Sequence, residues 1–191
     1  MFRRTGRGPS GRRRDGGAVA VEAALITPIL LLVVFGIVEF GLVFKDWLAI
    51  SSSVRAGARM ASAEPRVATF AADAAAQVAR EGRAMGLANV HELWVYKAKA
   101  DGTPVGSTAG KFDACTTCVK FRWNGSAFVQ QSSTWLHTAQ NACQGDVNRD
   151  NLGVYVLLDH PSVTGLFFDE LAIGEHTVMS LEPMSATTGC K

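Results

Sequence analysis

From Ala23 to Phe44 the chain is apolar almost without interruption, and beyond Lys45 its apolar residues thin into steps of three and four. The first stretch counts 22 residues with one interior charge, Glu39. At about 1.5 Å per residue it spans roughly 33 Å as a helix, which matches a bilayer core of about 30 Å. The second stretch carries Trp47, Leu48, Ile50, Val54, Ala58 and Ala61 at the spacing of one helical face, with Arg55 and Arg59 one turn apart. Together they predict one rod, a membrane helix that continues outward. Pro28 removes a backbone hydrogen bond inside the span and is placed to kink it, where helices tolerate proline better than in water.

Pro65 predicts a turn after the rod. A second helix is expected over 67–88, because the alanines at 68, 71, 72, 74, 75, 76 and 79 favour helix and admit a close partner. After Gly86 the pattern becomes aromatic, β-branched and turn-rich. Strands are expected over Glu92–Ala98, Cys118–Trp123, Ala127–Gln131, Val154–Asp159 and His176–Leu181, with Asn124-Gly125 as a tight hairpin turn. A short helix is expected over Leu136–Ala142. The predicted fold class is α+β: a long N-terminal transmembrane helix running into an extracytoplasmic helix, a second Ala-rich helix, and a small antiparallel-sheet domain. The expected organisation is a basic leader (1–17), a transmembrane helix (18–44), a helical stalk (45–88) and a mainly-β domain (89–191). About 100 residues suffice for one small core but not for two.

Charge sets the direction of the span. Arg3, Arg4, Arg7, Arg12, Arg13 and Arg14 against Asp15 give the first 17 residues a net +5, while Lys45 and Asp46 cancel on the far side. The positive-inside rule then places the N-terminus in the cytoplasm and residues from about 45 onward outside it. The whole chain carries +2, so residues 18–191 carry −3. The arginines are therefore read as a topogenic arm and not as a nucleic-acid surface. A cleavable secretory signal fits poorly, since its core is normally about 7–15 residues. The A-x-A sequence Ala61-Ser62-Ala63 also lies well beyond the apolar run. Arg12-Arg13-Arg14 leads into Asp15 and two glycines and does not match a twin-arginine signal.

Glu22 does not suit a plain anchor. A carboxylate at the start of a spanning helix must find a partner or stay near the headgroups. If the chain were cut between Gly17 and Ala18, the new α-ammonium would lie on the first residue with Glu22 as the fifth, and the two charges could meet. This order of basic leader, small junction and early glutamate resembles a class III signal peptide. A glutamate snorkelling to the cytoplasmic interface is the plainer alternative.

The residues that follow extend the likeness. Ala20-Val21-Glu22-Ala23-Ala24-Leu25, Pro28 with Leu30-Leu31-Leu32, Phe35-Gly36-Ile37-Val38-Glu39-Phe40-Gly41 and Ser53-Val54-Arg55-Ala56-Gly57-Ala58-Arg59 resemble the N-terminal segment of the TadE-like family. These are pilin-like proteins of tight-adherence (Tad/Flp-type) pilus systems. The resemblance is specific over about residues 17–62, and Gly153–Pro161 and Glu175–Pro183 are similar to the family's closing strands. It implies cleavage by a prepilin peptidase between Gly17 and Ala18, with Glu22 as an alignment carboxylate. It also implies partnership with other pilins, the Tad assembly machinery and the lipid bilayer of a bacterial cell membrane, and a role in adhesion. Whether Ala18 becomes N-methylated is left open.

The four cysteines, Cys115, Cys118, Cys143 and Cys190, all fall in the part expected outside the cytoplasm, where an even number suggests two disulfides in any of three pairings. A redox dithiol at Cys115-Thr116-Thr117-Cys118 would need a helix start after a strand, whereas strand-like Val119–Trp123 follows. A zinc site with a histidine such as His137 is the other alternative. Asp146-Val147-Asn148-Arg149-Asp150 opens like a calcium loop, but Asn151 and Leu157 stand where that loop needs Gly and Glu, so a polar turn is expected. Asn124-Gly125-Ser126 matches a glycosylation sequon that the hairpin already explains. His91, His137, His160 and His176 form no nucleophile-and-base constellation, and no phosphate loop or cofactor motif stands out. The chain thus reads as a substrate of processing and not as an enzyme. The alternative is an uncleaved single-pass protein that displays an extracytoplasmic ligand- or protein-binding domain.

Overall fold

The computed structural model describes residues 15–190, with side chains from Gly17 onward; the arginines of the leader lie outside the described residues. The long helix α1 runs from Asp15 to Ser62 and passes through Pro28. There Thr27 Oγ1 donates to the Ala23 carbonyl at 2.7 Å, one turn back and beside the carbonyl that the proline cannot serve. The chain divides into two compact units between Phe40 and Gly41. In the first, almost every large apolar side chain from Val19 to Val38 is exposed.

The second unit holds the rest of α1, the helix α2 (Phe70–Glu81) and five strands: β1 (Val90–Ala98), β2 (Cys118–Trp123), β3 (Phe128–Ser133), β4 (Asn151–Pro161) and β5 (Glu170–Ser180). All pairings are antiparallel, and the sheet order is β3-β2-β1-β4-β5. The expected α+β architecture, with its long apolar helix, shorter second helix and antiparallel sheet, is therefore present. Two disulfides, Cys115–Cys118 and Cys143–Cys190, accompany it.

One sheet face carries Leu93, Val95, Val119, Phe121, Leu152, Val154, Val156 and Leu158, alternate residues of β1, β2 and β4. They pack into one core with Ile50, Val54, Ala58 and Ala61 of α1 and Phe70, Ala71, Ala74, Ala75 and Val78 of α2. The helices approach closely at Gly57, where a Cβ would lie 2.6 Å from Val78 Cγ2 and 3.2 Å from the Ala74 carbonyl oxygen. The opposite face is covered by the connection between β1 and β2. Phe112 from that connection stacks on Tyr155 at 4.2 Å between ring centroids and meets Tyr96 edge-on at 5.8 Å. Tyr96 in turn lies over Gly153, where any side chain would occupy its ring, and its hydroxyl donates to the Gly102 carbonyl at 2.9 Å. Burial pushes the Tyr96 phenol well above its usual range, so it stays a neutral donor.

Several boundaries differ from expectation. α2 is shorter than 67–88 and gives way to 3₁₀ turns at Gly82–Met85 and Leu87–Asn89, separated by Gly86 at φ 71°. Only His137–Ala139 of the expected helix over 136–142 winds, as one 3₁₀ turn. The reason is tertiary: the Gln140 side chain accepts the Arg66 backbone N–H at 2.6 Å, and its carbonyl accepts from the Arg66 guanidinium at 2.7 Å. That pair holds Arg66 at φ 62°, in the left-handed region, between α1 and α2. β5 begins six residues earlier than His176, because the whole of β4 from Asn151 to Pro161 offers it a partner.

Candidate functional site

Gly17 and Ala18 lie in the first turn of α1 and are helical, and a Cβ on Gly17 would meet nothing within 4 Å. Glu22 is exposed one turn further on. It shares one helix face with Val19, Ala23, Ile26, Thr27 and Leu30, so the carboxylate stands at the rim of an apolar surface that another helix could cover. Glu39, the other carboxylate of the apolar run, is buried. From Gly17 onward α1 is long and apolar enough to cross a membrane.

Residues 17–59 match the family model described as TadE-like protein. The TadE-like segment thus begins at the predicted junction, contains Glu22, and ends within the part of α1 that packs on the sheet. No significant match to the chain was found among curated proteins or solved structures.

The remaining predicted residues are distributed through the second unit and do not converge on one another. Cys115–Cys118 closes the start of β2 beneath the aromatic layer of Tyr96, Phe112 and Tyr155. Cys143–Cys190 ties the C-terminal segment to the loop before β4, where Cys143 also bridges to Met184 in backbone pairing. The calcium-like stretch is a polar turn. Asp146 accepts from the Asn148 backbone at 2.7 Å and from the Asn141 amide at 2.8 Å, and these bonds hold its carboxyl below the usual range. Asp150 is buried and paired with Lys97 at 2.6 Å. The Asn124 side chain caps its own hairpin, accepting from the backbone of Ser126 and Ala127 at 3.0 and 2.9 Å. Among the described residues no group of three or more His, Cys, Asp or Glu is placed to hold a metal ion.

Two features went unrecognised from sequence. Asp46 and His160, both buried, meet at 2.6 Å between Oδ2 and Nδ1, and Lys45 lies 2.9 Å from the other carboxylate oxygen. The His160 N–H donates to the carboxylate and fixes the end of β4 on α1. A cavity of about 320 Å³ also opens between α2 and the β2–β3 hairpin, lined by Ala72, Ala76, Arg80, Arg83, Trp123 and Phe128. Neither announces itself in a linear pattern, because Asp46 and His160 lie 114 positions apart and the cavity walls come from separate elements.

Proposed function

We propose that the chain is a pilin-like, TadE-like component of a tight-adherence pilus system, made as a membrane precursor and cleaved by a prepilin peptidase between Gly17 and Ala18. The observation that carries this reading is the coincidence of the TadE-like match with the junction and with an apolar helix whose large side chains are exposed. A contiguous apolar surface of this kind needs lipid or other helices around it. Removal of the arginines would leave that surface free to pack among other pilins under the Tad assembly machinery. Heterologous packing that does not close gives a fibre. Glu22 would then meet the new α-ammonium of Ala18, within the chain or from a neighbour, and set the stagger of adjacent helices. The chemistry is done to this chain and not by it. The −3 body lies outside the cytoplasm and serves adhesion or assembly there.

A second reading keeps the leader and treats the protein as an uncleaved single-pass display anchor. It draws support from the helical conformation of the junction, since a protease cleft takes extended backbone. The N-terminal residue of the protein isolated from cells that hold the matching peptidase separates the two. Ala18 is the expected terminus, and a persistent arginine-rich leader would sink the pilin reading. Gly17→Trp should leave precursor in the membrane, whereas Glu22→Gln should still be cleaved but assemble poorly.

A further inference from the structure

We propose that the turn between β4 and β5, residues 162–169, is a second bilayer contact, which rests its apolar tip in the membrane interface beside α1. The proposal rests on the reading of α1 as a membrane-spanning helix and adds to it a contact made by the folded unit.

The direction of the hairpin follows from three pairings inside the second unit. A Cβ on Gly57 would lie 3.7 Å from Val154, while Asp46 meets His160 at 2.6 Å, so advancing along β4 descends α1 toward Gly41. On β5, Glu175 accepts the Trp47 indole N–H at 3.1 Å. The turn beyond His160 therefore points to the Gly41 end of this unit, where Phe44 closes the apolar run. At about 3.3 Å per residue, an eight-residue turn reaches up to roughly 13 Å past Pro161.

Its composition is wrong for water. Val163, Leu166 and Phe167 are 68, 54 and 44% exposed at the tip. The β2–β3 turn of the same sheet, Asn124-Gly125-Ser126, is by contrast polar. Phe44, Trp47 and Leu48 of α1 are exposed at the corresponding level, the placement expected of an aromatic belt at a membrane surface. Three backbone N–H groups of the turn are paired within it. Ser162 N–H donates to the Asp169 carbonyl at 3.0 Å, Gly165 N–H to Ser162 Oγ at 2.7 Å and Leu166 N–H to Thr164 Oγ1 at 3.3 Å. No Lys, Arg or His occurs from Pro161 to Glu175, whereas Asp169, Glu170 and Glu175 do. The contact is accordingly apolar and suits a neutral lipid surface, not an anionic headgroup site.

Photocrosslinking of the full chain in phosphatidylcholine vesicles tests the contact, with p-benzoylphenylalanine replacing Phe167, Leu30 or Val147 in turn. Leu30 lies in the apolar run, and Val147 is 94% exposed in the loop before β4, at the other end of the strand. Lipid adducts are expected at position 30 and, several-fold above position 147, at position 167. Adducts at 30 with position 167 no higher than 147 overturn the hairpin contact and leave the spanning helix standing. Absence of adducts at 30 overturns the spanning helix itself, and crosslinks from 167 only to a second copy of the chain assign the tip to protein and overturn its lipid role. Leu166→Asp in the Phe167 probe should lower the lipid yield several-fold with the fold unchanged; an unaltered yield counts against apolar insertion.

Discussion

Within α1, the apolar side chains of residues 17–38 are exposed around the whole circumference, whereas those of 50–61 are buried along one stripe and replaced by Arg55 and Arg59 on the other side. The same secondary structure is thus written for two solvents. In the first stretch every face is apolar, so only an environment as apolar as the side chains themselves satisfies it. In the second the chain supplies its own environment, α2 and the sheet, and small residues such as Ala58 and Gly57 set how near these come. The contrast teaches that hydropathy and periodicity encode different partners: the first names a medium and the second a neighbour.

The comparison breaks most sharply at two valines. Val54→Asp buries an unpaired carboxylate in the core and should cost about 4 kcal/mol of folding free energy, enough to threaten the unit. Val34→Asp should leave the unfolding of residues 41–190 unchanged and instead impair membrane insertion. Urea unfolding of the full chain in detergent micelles, followed by the buried indoles of Trp94 and Trp135, reads the first effect. Membrane extraction with carbonate reads the second. Equal loss of folding in both variants would erase the distinction.

Two glycines sharpen it further. Gly57→Ala places a methyl against Val78 and the Ala74 carbonyl and should destabilise by about 2 kcal/mol, because α2 must move. At Gly41 a Cβ meets nothing within 4 Å, so Gly41→Ala should be neutral or stabilise by up to about 1 kcal/mol through helix propensity. The same unfolding experiment compares them, and equal signs would mean that helix contact at Gly57 is looser than its geometry indicates.

The apolar stretch of membrane-spanning length was legible because hydropathy needs no tertiary information, and the packed half of α1 because Ile50, Val54, Ala58 and Ala61 keep helical spacing. Strand positions followed from alternation; β2 matches its expected bounds, Cys118–Trp123. The start of β5 was not legible, since Gly174 and Glu175 separate the short apolar run Leu171–Ile173 from His176 and only pairing with β4 joins them into one strand. Gln140, Arg66, Asp46 and His160 lay beyond reach for the same reason: each is fixed by a residue distant in sequence. The pairing Cys143–Cys190 joins residues 47 positions apart and belongs to that class, while Cys115–Cys118 spans only 3 and was one of the three pairings that spacing permits. At the candidate junction the small residues and Glu22 stood out by type and order. Their helical setting is a property of the folded chain.

The smallest expected effect lies at the turn between the two helices, where the second unit must seat α2 after α1 ends. The Glu64 side chain is half-buried there beside Asp73 of the first turn of α2, and desolvation together with that neighbouring carboxylate raises its carboxyl above the ordinary range. A raised carboxyl favours the protonated form in the folded state. Its contribution to stability is therefore fully present below the unfolded value, about pH 4, and is lost as pH rises through the folded value. Glu64→Gln removes the charge but keeps the shape, and its amide can donate to Asp73. The variant should be more stable than the native chain at pH 7 by a few tenths of a kcal/mol, the gap closing below about pH 4. Parallel urea titrations at pH 7 and pH 4 measure it. A gap that does not change with pH would mean that the substitution acts through packing and not through the charge.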